Sequence, residues 1–149
     1  MPLHLVKIAV GVESLDDLAA VQKERRAELK AERGKAVLIH RTRNRPRREA
    51  EILAKGAERG SIYWIVKGFI RVRQRILGFE AGTRRDGRPC CEIRLDPKLV
   101  RTVPLAHKPI QGWRYMTGEE APRDLVGKAA QAEEMPAEMM LQLRELGLL

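Results

Sequence analysis

The sequence predicts an α+β fold in a single domain: a mainly antiparallel sheet, twisted or barrel-like, with two helices in the N-terminal half and a third at the C-terminus. Three observations carry this. A segment of helical period runs from Ser14 to Gly34 between two apolar runs of strand length. The most apolar, strand-like stretch, residues 61–95, is interrupted by Lys67-Gly68 and Asp86-Gly87. Met139, Met140, Leu143 and Leu146 then recur at helical spacing. With 149 residues the chain is long enough to bury one core. It divides into a domain over residues 1–126 and, over 127–149, a linker and amphipathic helix expected to pack on that domain.

Leu3–Val10 reads as the first strand, ended by Gly11. Ser14 is an N-cap residue, and Asp17 three positions on completes an acidic capping box. Leu15, Leu18, Ala19 and Leu29 form the buried stripe of the helix, and Gly34 stops it. Ala36–His40 is a short strand, and Pro46 suits the first turn of a second helix through Lys55. Ser61–Val66 is the next strand, Lys67-Gly68 a bend or bulge, and Phe69–Ala81 a long strand. Asp86-Gly87 turns the chain into the returning strand Cys90–Leu95. A two-residue loop there would set Leu77 and Phe79 against Asp96 and Arg94, mixing core with surface. A bulge or longer loop instead sets Leu77, Phe79 and Ala81 opposite Leu95, Ile93 and Cys91, so an irregularity is expected. From Asp96 onward prolines recur at 97, 104, 109 and 122, which predicts an extended, irregular course around the sheet.

The net charge is +9, unevenly spread. Residues 25–48 hold ten Lys/Arg against two acids, residues 55–88 nine against three, and residues 118–149 three against seven. A basic surplus confined to the first two thirds favours a polyanionic partner, nucleic acid before a membrane surface. No run approaches the ~18–20 apolar residues of a membrane helix, and the opening MPLHLVKIAV is broken by His4 and Lys7, so a cytoplasmic protein is expected. Cys90 and Cys91 are adjacent, a poor geometry for a disulfide and the wrong spacing for zinc, with one expected to face the core and one away from it.

Two constellations could carry function. Arg71, Arg73 and Arg75 alternate along a strand, which would put three guanidiniums on one face about 6.6–6.8 Å apart. With Lys67 and the loop Arg41, Arg43, Arg45, Arg47 and Arg48 they could form a track for a phosphate backbone. The competing explanation is a solvated strand face paired with Glu80 or Glu92. The same parity places Leu77 and Phe79 beside the arginines, so the strand must switch faces between Gln74 and Gly78. The second constellation is Gln111-Gly112-Trp113-Arg114-Tyr115, where Trp113 and Tyr115 share a face and could stack on bases, or plug the core edge. His4, His40 and His107 are candidate acid–base groups, with His4 and His40 on neighbouring strands. No nucleophile motif, phosphate-binding glycine loop or metal spacing accompanies them, so neither metal nor cofactor is expected.

Leu3-His4-Leu5 with Val10-Gly11-Val12, Gly60–Gly68, Val72–Leu77, Gln111–Tyr115 and Ala121-Pro122 together resemble the alphaproteobacterial family called domain of unknown function 1489 over residues 3–125. The resemblance implies a small bacterial cytoplasmic protein and transfers no catalytic residue. The element order also resembles PUA-like domains, a likeness of fold alone. The expected function is binding of RNA, before single-stranded DNA, without chemistry. The alternatives are a small enzyme acting on a nucleotide or phosphorylated substrate, and a module docking a protein through residues 136–147.

Overall fold

Leu3–Ile8 forms β1, as its apolar run dictates, and in this computed structural model, which describes residues 1–125, the chain then enters its long helix. That helix, α1 (Leu15–Arg33), begins as its sequence requires: the Ser14 hydroxyl accepts the Asp17 N–H at 3.0 Å, and Asp17 accepts the Glu13 N–H at 3.2 Å. Gly34 ends it at φ 74°, donating its N–H to Lys30. Leu18 and Leu29 are buried and Leu15 packs against the core, but Ala19 is exposed. The core-facing line instead passes through Gln22, so the helix has a thin apolar stripe with a polar group in its middle.

β2 (Leu38–Thr42) is followed by a single helical turn, α2 (Glu49–Ile52), much shorter than the Pro46–Lys55 helix predicted, and by a 3-10 turn at Gly56–Glu58. The shortening has a local cause. The α2 N-cap position is Arg48, which makes no side-chain cap, and the arginines before it turn back to glutamates in the turn: Arg45 to Glu49 and Arg48 to Glu51.

β3 (Ser61–Val66) and β4 (Phe69–Thr83) form a hairpin through Lys67 and Gly68, both at positive φ (50° and 81°), which is the backbone a two-residue turn demands. β5 is Pro89–Leu95, β6 Val100–Ala106 and β7 Trp113–Thr117. The region predicted to be irregular after Asp96 therefore contains two strands. Pro104 is accommodated because it lies where the β4–β6 register jumps, between the pairs Ile70–Leu105 and Val72–Arg101, so its missing N–H falls in an interrupted stretch of ladder.

The strands form one seven-stranded mixed sheet, ordered β2-β5-β4-β3-β1-β7, with β6 also on β4. Only β1 and β3 run parallel; every other pair is antiparallel, and the sheet does not close into a barrel. β4 is long enough to serve two partners on the side away from β3: β6 along Phe69–Arg73 and β5 along Ile76–Thr83. The main core lies on the face covered by α1, where Leu5, Ile62, Trp64, Val72, Ile76 and Ile93 meet. A smaller cluster of Val6, Tyr63, Ile65, Ile70 and Met116 covers the other face. Tyr63 and Trp64 are thus both buried, one on each side.

The expected irregularity occurs, and a second that was not expected accompanies it. Phe79 faces Ile93 and Ala81 faces Cys91 as anticipated, but Leu95 is met by Ile76, and Leu77 is the extra residue of a bulge, 45% exposed. The hairpin loop is longer than Asp-Gly: Arg84 donates its N–H to Arg88 at 2.7 Å and Gly87 caps the turn at φ 85°. The second bulge is at Arg71, since Ile65 pairs with Ile70 and Trp64 with Val72. Both cysteines are buried and unlinked: Cys91 is in the main core, where burial pushes its thiol up to about 11.

A buried polar group holds the middle of α1 to the sheet. Gln74, fully buried, exchanges amide hydrogen bonds with Gln22 (2.6 and 2.8 Å), accepts the Trp64 indole N–H at 2.8 Å and donates to the Asp96 carbonyl at 3.1 Å. Gln74→Leu fits the volume but leaves the indole N–H and the Gln22 amide without partners in the core. The expected loss is about 2–3 kcal/mol, read by urea unfolding; a loss below about 0.5 kcal/mol would mean those groups find water.

Candidate functional site

Glu92 anchors the wall of the main surface feature. Buried on β5, it takes both guanidinium nitrogens of Arg33 (3.2 and 2.9 Å) and lies 3.5 Å from Arg41, so the end of α1, β2 and β5 meet on one carboxylate. The hydrogen bonds from Arg33 hold that carboxyl below its usual range.

Beside this junction is a cleft of about 1300 Å³ on the α1 side of the sheet. One wall is α1, through Glu24, Arg25, Glu28 and Glu32; the opposite wall is the loop after β2, with Arg43, Arg45 and Arg47. The β4–β5 hairpin tip adds Arg84, Arg85 and Asp86; β7 adds Trp113 and Tyr115; Lys7 of β1 also lines it. Eight Lys/Arg against four Asp/Glu line the cleft, so its potential is positive, with the acids gathered on the helix.

The loop arginines of the first constellation and the aromatics of the second meet here in a way periodicity does not show. Trp113 donates its indole N–H to the Asn44 carbonyl at 2.8 Å, and the Tyr115 hydroxyl accepts the Arg48 N–H at 3.0 Å. The two rings pack edge to face, centroids 4.9 Å apart, and the Arg48 guanidinium lies 5.4 Å from the Tyr115 ring centre. The half-buried aromatics therefore pin the basic loop in place. They also tie the loop leaving one edge strand, β2, to the other edge strand, β7, so the open ladder is clipped across its gap and the cleft lies at the clip. Gly112, at φ 67°, supplies the turn that brings Trp113 in.

The loop arginines differ in what they do. Arg45 bonds Glu49 and the Phe79 carbonyl, Arg48 bonds Glu51, and Arg41 is near Glu92. Arg43, Arg47 and Arg85 are exposed and hold no carboxylate among the described residues.

Arg71, Arg73 and Arg75 do not form the evenly spaced row that alternation predicted, because the bulge at Arg71 breaks the period. Arg71 is buried (9% exposed). Arg73 makes two 2.7 Å bonds to Asp124 and one of 2.9 Å to Ser61, on the face shared with Tyr63, away from the cleft. Its partner comes from an unexpected place: Arg123–Leu125 runs alongside β6, through a Thr102–Asp124 bridge. Arg75 is exposed and donates to the Gly56 carbonyl at 3.2 Å. Lys67 occupies the β3–β4 turn, and Arg114 alternates with Trp113 and Tyr115 on β7; neither lines the cleft.

The histidines are dispersed. His4 and His40 are not on neighbouring strands, since β3, β4 and β5 separate β1 from β2. His4 is buried on the face away from the cleft, accepts the Ser61 N–H at 2.9 Å and is lowered to about 4 by burial and by Arg73. His107 sits beside the Lys108 carbonyl. His40 packs edge-on against Trp64 at 5.0 Å and is lowered to about 3 by burial, with Lys7 and Arg25 adding to it. Among the described residues no cluster of three His, Cys, Asp or Glu could hold a metal, and no helix is long and apolar enough to cross a membrane.

The family model described as protein of unknown function (DUF1489) matches residues 5–149. The chain belongs to that family. The match extends over the tail as well as the domain, and membership assigns no chemistry to any residue. No curated protein and no solved structure matches the chain.

Sequence reasoning missed Lys7, Arg25, Arg84 and Arg85 as cleft residues. Only the last two left a signal, a dibasic pair at a turn; Lys7 looked like an interruption in a strand, and its position depends on strand order. The amphipathic segment 136–147 lies outside the described residues.

Proposed function

We propose that this protein binds single-stranded RNA in the cleft, and single-stranded DNA less well, without acting chemically on it. The observation that carries this is the group Arg43, Arg47 and Arg85: three exposed guanidiniums without carboxylates among the described residues, lining one cleft with Trp113 and Tyr115. Like charges brought together repel, and a phosphate backbone relieves that by bidentate contact. A single strand fits better than a duplex because the aromatic pair is inside the cleft, where only an unpaired base could reach it. The Glu24 and Glu28 side of the cleft favours RNA, since carboxylates accept from a 2′-hydroxyl and deoxyribose has no such donor. RNA of this kind would be met in the cytoplasm, the location we propose.

The test is a titration with mixed-sequence single-stranded RNA and DNA at several salt concentrations. Replacing Arg43, Arg47 and Arg85 by alanine should weaken RNA binding and flatten the log–log salt dependence by about 2, as three lost phosphate contacts on a single strand imply. The fold should survive, because these side chains hold no ion pair among the described residues. Arg75→Ala probes whether a strand also follows the far face. An unchanged slope in the triple variant would remove the cleft as the phosphate path.

A further inference from the structure

Lys7 is placed unlike any other cation of the cleft. It lies on an interior strand, its Cα paired with Trp64 on one side and Trp113 on the other, so its ammonium rises from the sheet between two indole-bearing strands. It is half-buried, and burial lowers its pKa. No carboxylate is within ion-pair distance of it among the described residues, although three glutamates line the same cleft. Beside Trp64 on the neighbouring side stands His40, whose Nε2 is buried with no hydrogen-bond partner among the described residues. Trp64, against whose ring His40 packs, is the strand partner of Lys7, and Lys7 and Arg25 line the same cleft, so the three groups share one neighbourhood. A half-buried ammonium without a carboxylate and an unsatisfied ring nitrogen are each costly alone, and one anion would serve both.

We propose that Lys7, Arg25 and His40 form a phosphomonoester site at the base of the cleft, which takes the phosphorylated end of a bound strand. This rests on the cleft as an RNA site and adds which part of the strand is selected. An internal phosphodiester carries one negative charge and is held at two points by its ribose neighbours, which keeps it along the rim arginines. A terminal phosphate carries close to two charges, three free oxygens and a single attachment, so it can descend to a recessed ammonium. His40 would donate to a phosphate oxygen or accept from a protonated one according to its tautomer.

The probe is one short RNA prepared with a 5′-phosphate, a 3′-phosphate or hydroxyls at both ends, titrated into the full chain, with adenosine monophosphate and inorganic phosphate as separate ligands. One phosphorylated form should bind about tenfold or more tighter than the hydroxyl form, as one charge-assisted contact implies. Lys7→Gln, with folding verified by a thermal melt, should erase that difference. Equal affinity of all three RNAs for the unaltered protein would overturn the site. If no RNA binds but the mononucleotide or phosphate binds in a Lys7-dependent way, the phosphomonoester site stands and the RNA function fails. If nothing binds, both fall.

Discussion

Gly60→Ala should destabilise the protein by about 3–5 kcal/mol, because the added methyl meets backbone. Gly60 sits where the chain leaves the Gly56–Glu58 turn for β3, and it is held on both sides: its N–H bonds the Ile52 carbonyl at 2.7 Å and its carbonyl accepts from Ile76 at 3.1 Å. A Cβ there would come to 2.0 Å from the Leu3 carbonyl oxygen and 3.0 Å from an Ile52 methyl. The obstacle is backbone, so no rotamer change relieves it. Either β1 moves away from β3, loosening the parallel ladder, or α2 gives up its contact with the core. Gly78 is the control, because nothing lies within 4 Å of a Cβ built on it. Gly78→Ala should change stability by less than about 1 kcal/mol. Urea unfolding of the two variants decides the matter; equal, small effects would mean the β1–β3 junction yields easily.

Acidification should destabilise the protein before exposed carboxylates titrate. His4 and His40 are lowered to about 4 and about 3, from an ordinary value near 6.5. Between about pH 6 and 4.5 the unfolded chain therefore binds close to two protons that the native state refuses. Stability must fall with pH across this window, by about 1.4 kcal/mol per proton for each pH unit. Glu92 works in the same direction at lower pH. Its carboxyl is held down by Arg33, so its contribution is complete above about pH 4.3 and is lost as pH falls through its native value. Denaturant midpoints between about pH 6 and 4.5 should give a slope approaching two protons, flattening toward zero by about pH 7.5, and His40→Leu should roughly halve it. A slope below about 0.3 proton in the unaltered protein would show both imidazoles titrating as if in water.

Both of these effects concern residues that sequence patterns undervalue. Gly60 looks like one glycine among twelve, and its importance comes from the Leu3 carbonyl, 57 positions away in the chain. His4 and His40 read as candidate catalysts, yet one is a buried acceptor for Ser61 and the other packs on Trp64 with its Nε2 buried and unpartnered among the described residues. Gln74, set between Arg73 and Arg75, carries no role that alternation assigns. It turned out to be the centre of the contact between α1 and the sheet.

What the sequence determined by itself is whatever short-range geometry decides. Ser14 and Asp17 start α1, Gly34 ends it, Lys67-Gly68 and the Asp86-Gly87 region turn two hairpins, and a parity conflict announced the bulge at Leu77. Each follows from backbone preferences and side-chain periods spanning a few residues. Tertiary structure alone decided that β1 lies between β3 and β7, that Pro104 belongs to a strand, and that Arg71 is bulged out of the arginine series. It also decided which cations are spent on carboxylates, as Arg73 is on Asp124, and which are left to the cleft. Pairing and neutralisation depend on partners far apart in the chain, and no local period carries that information.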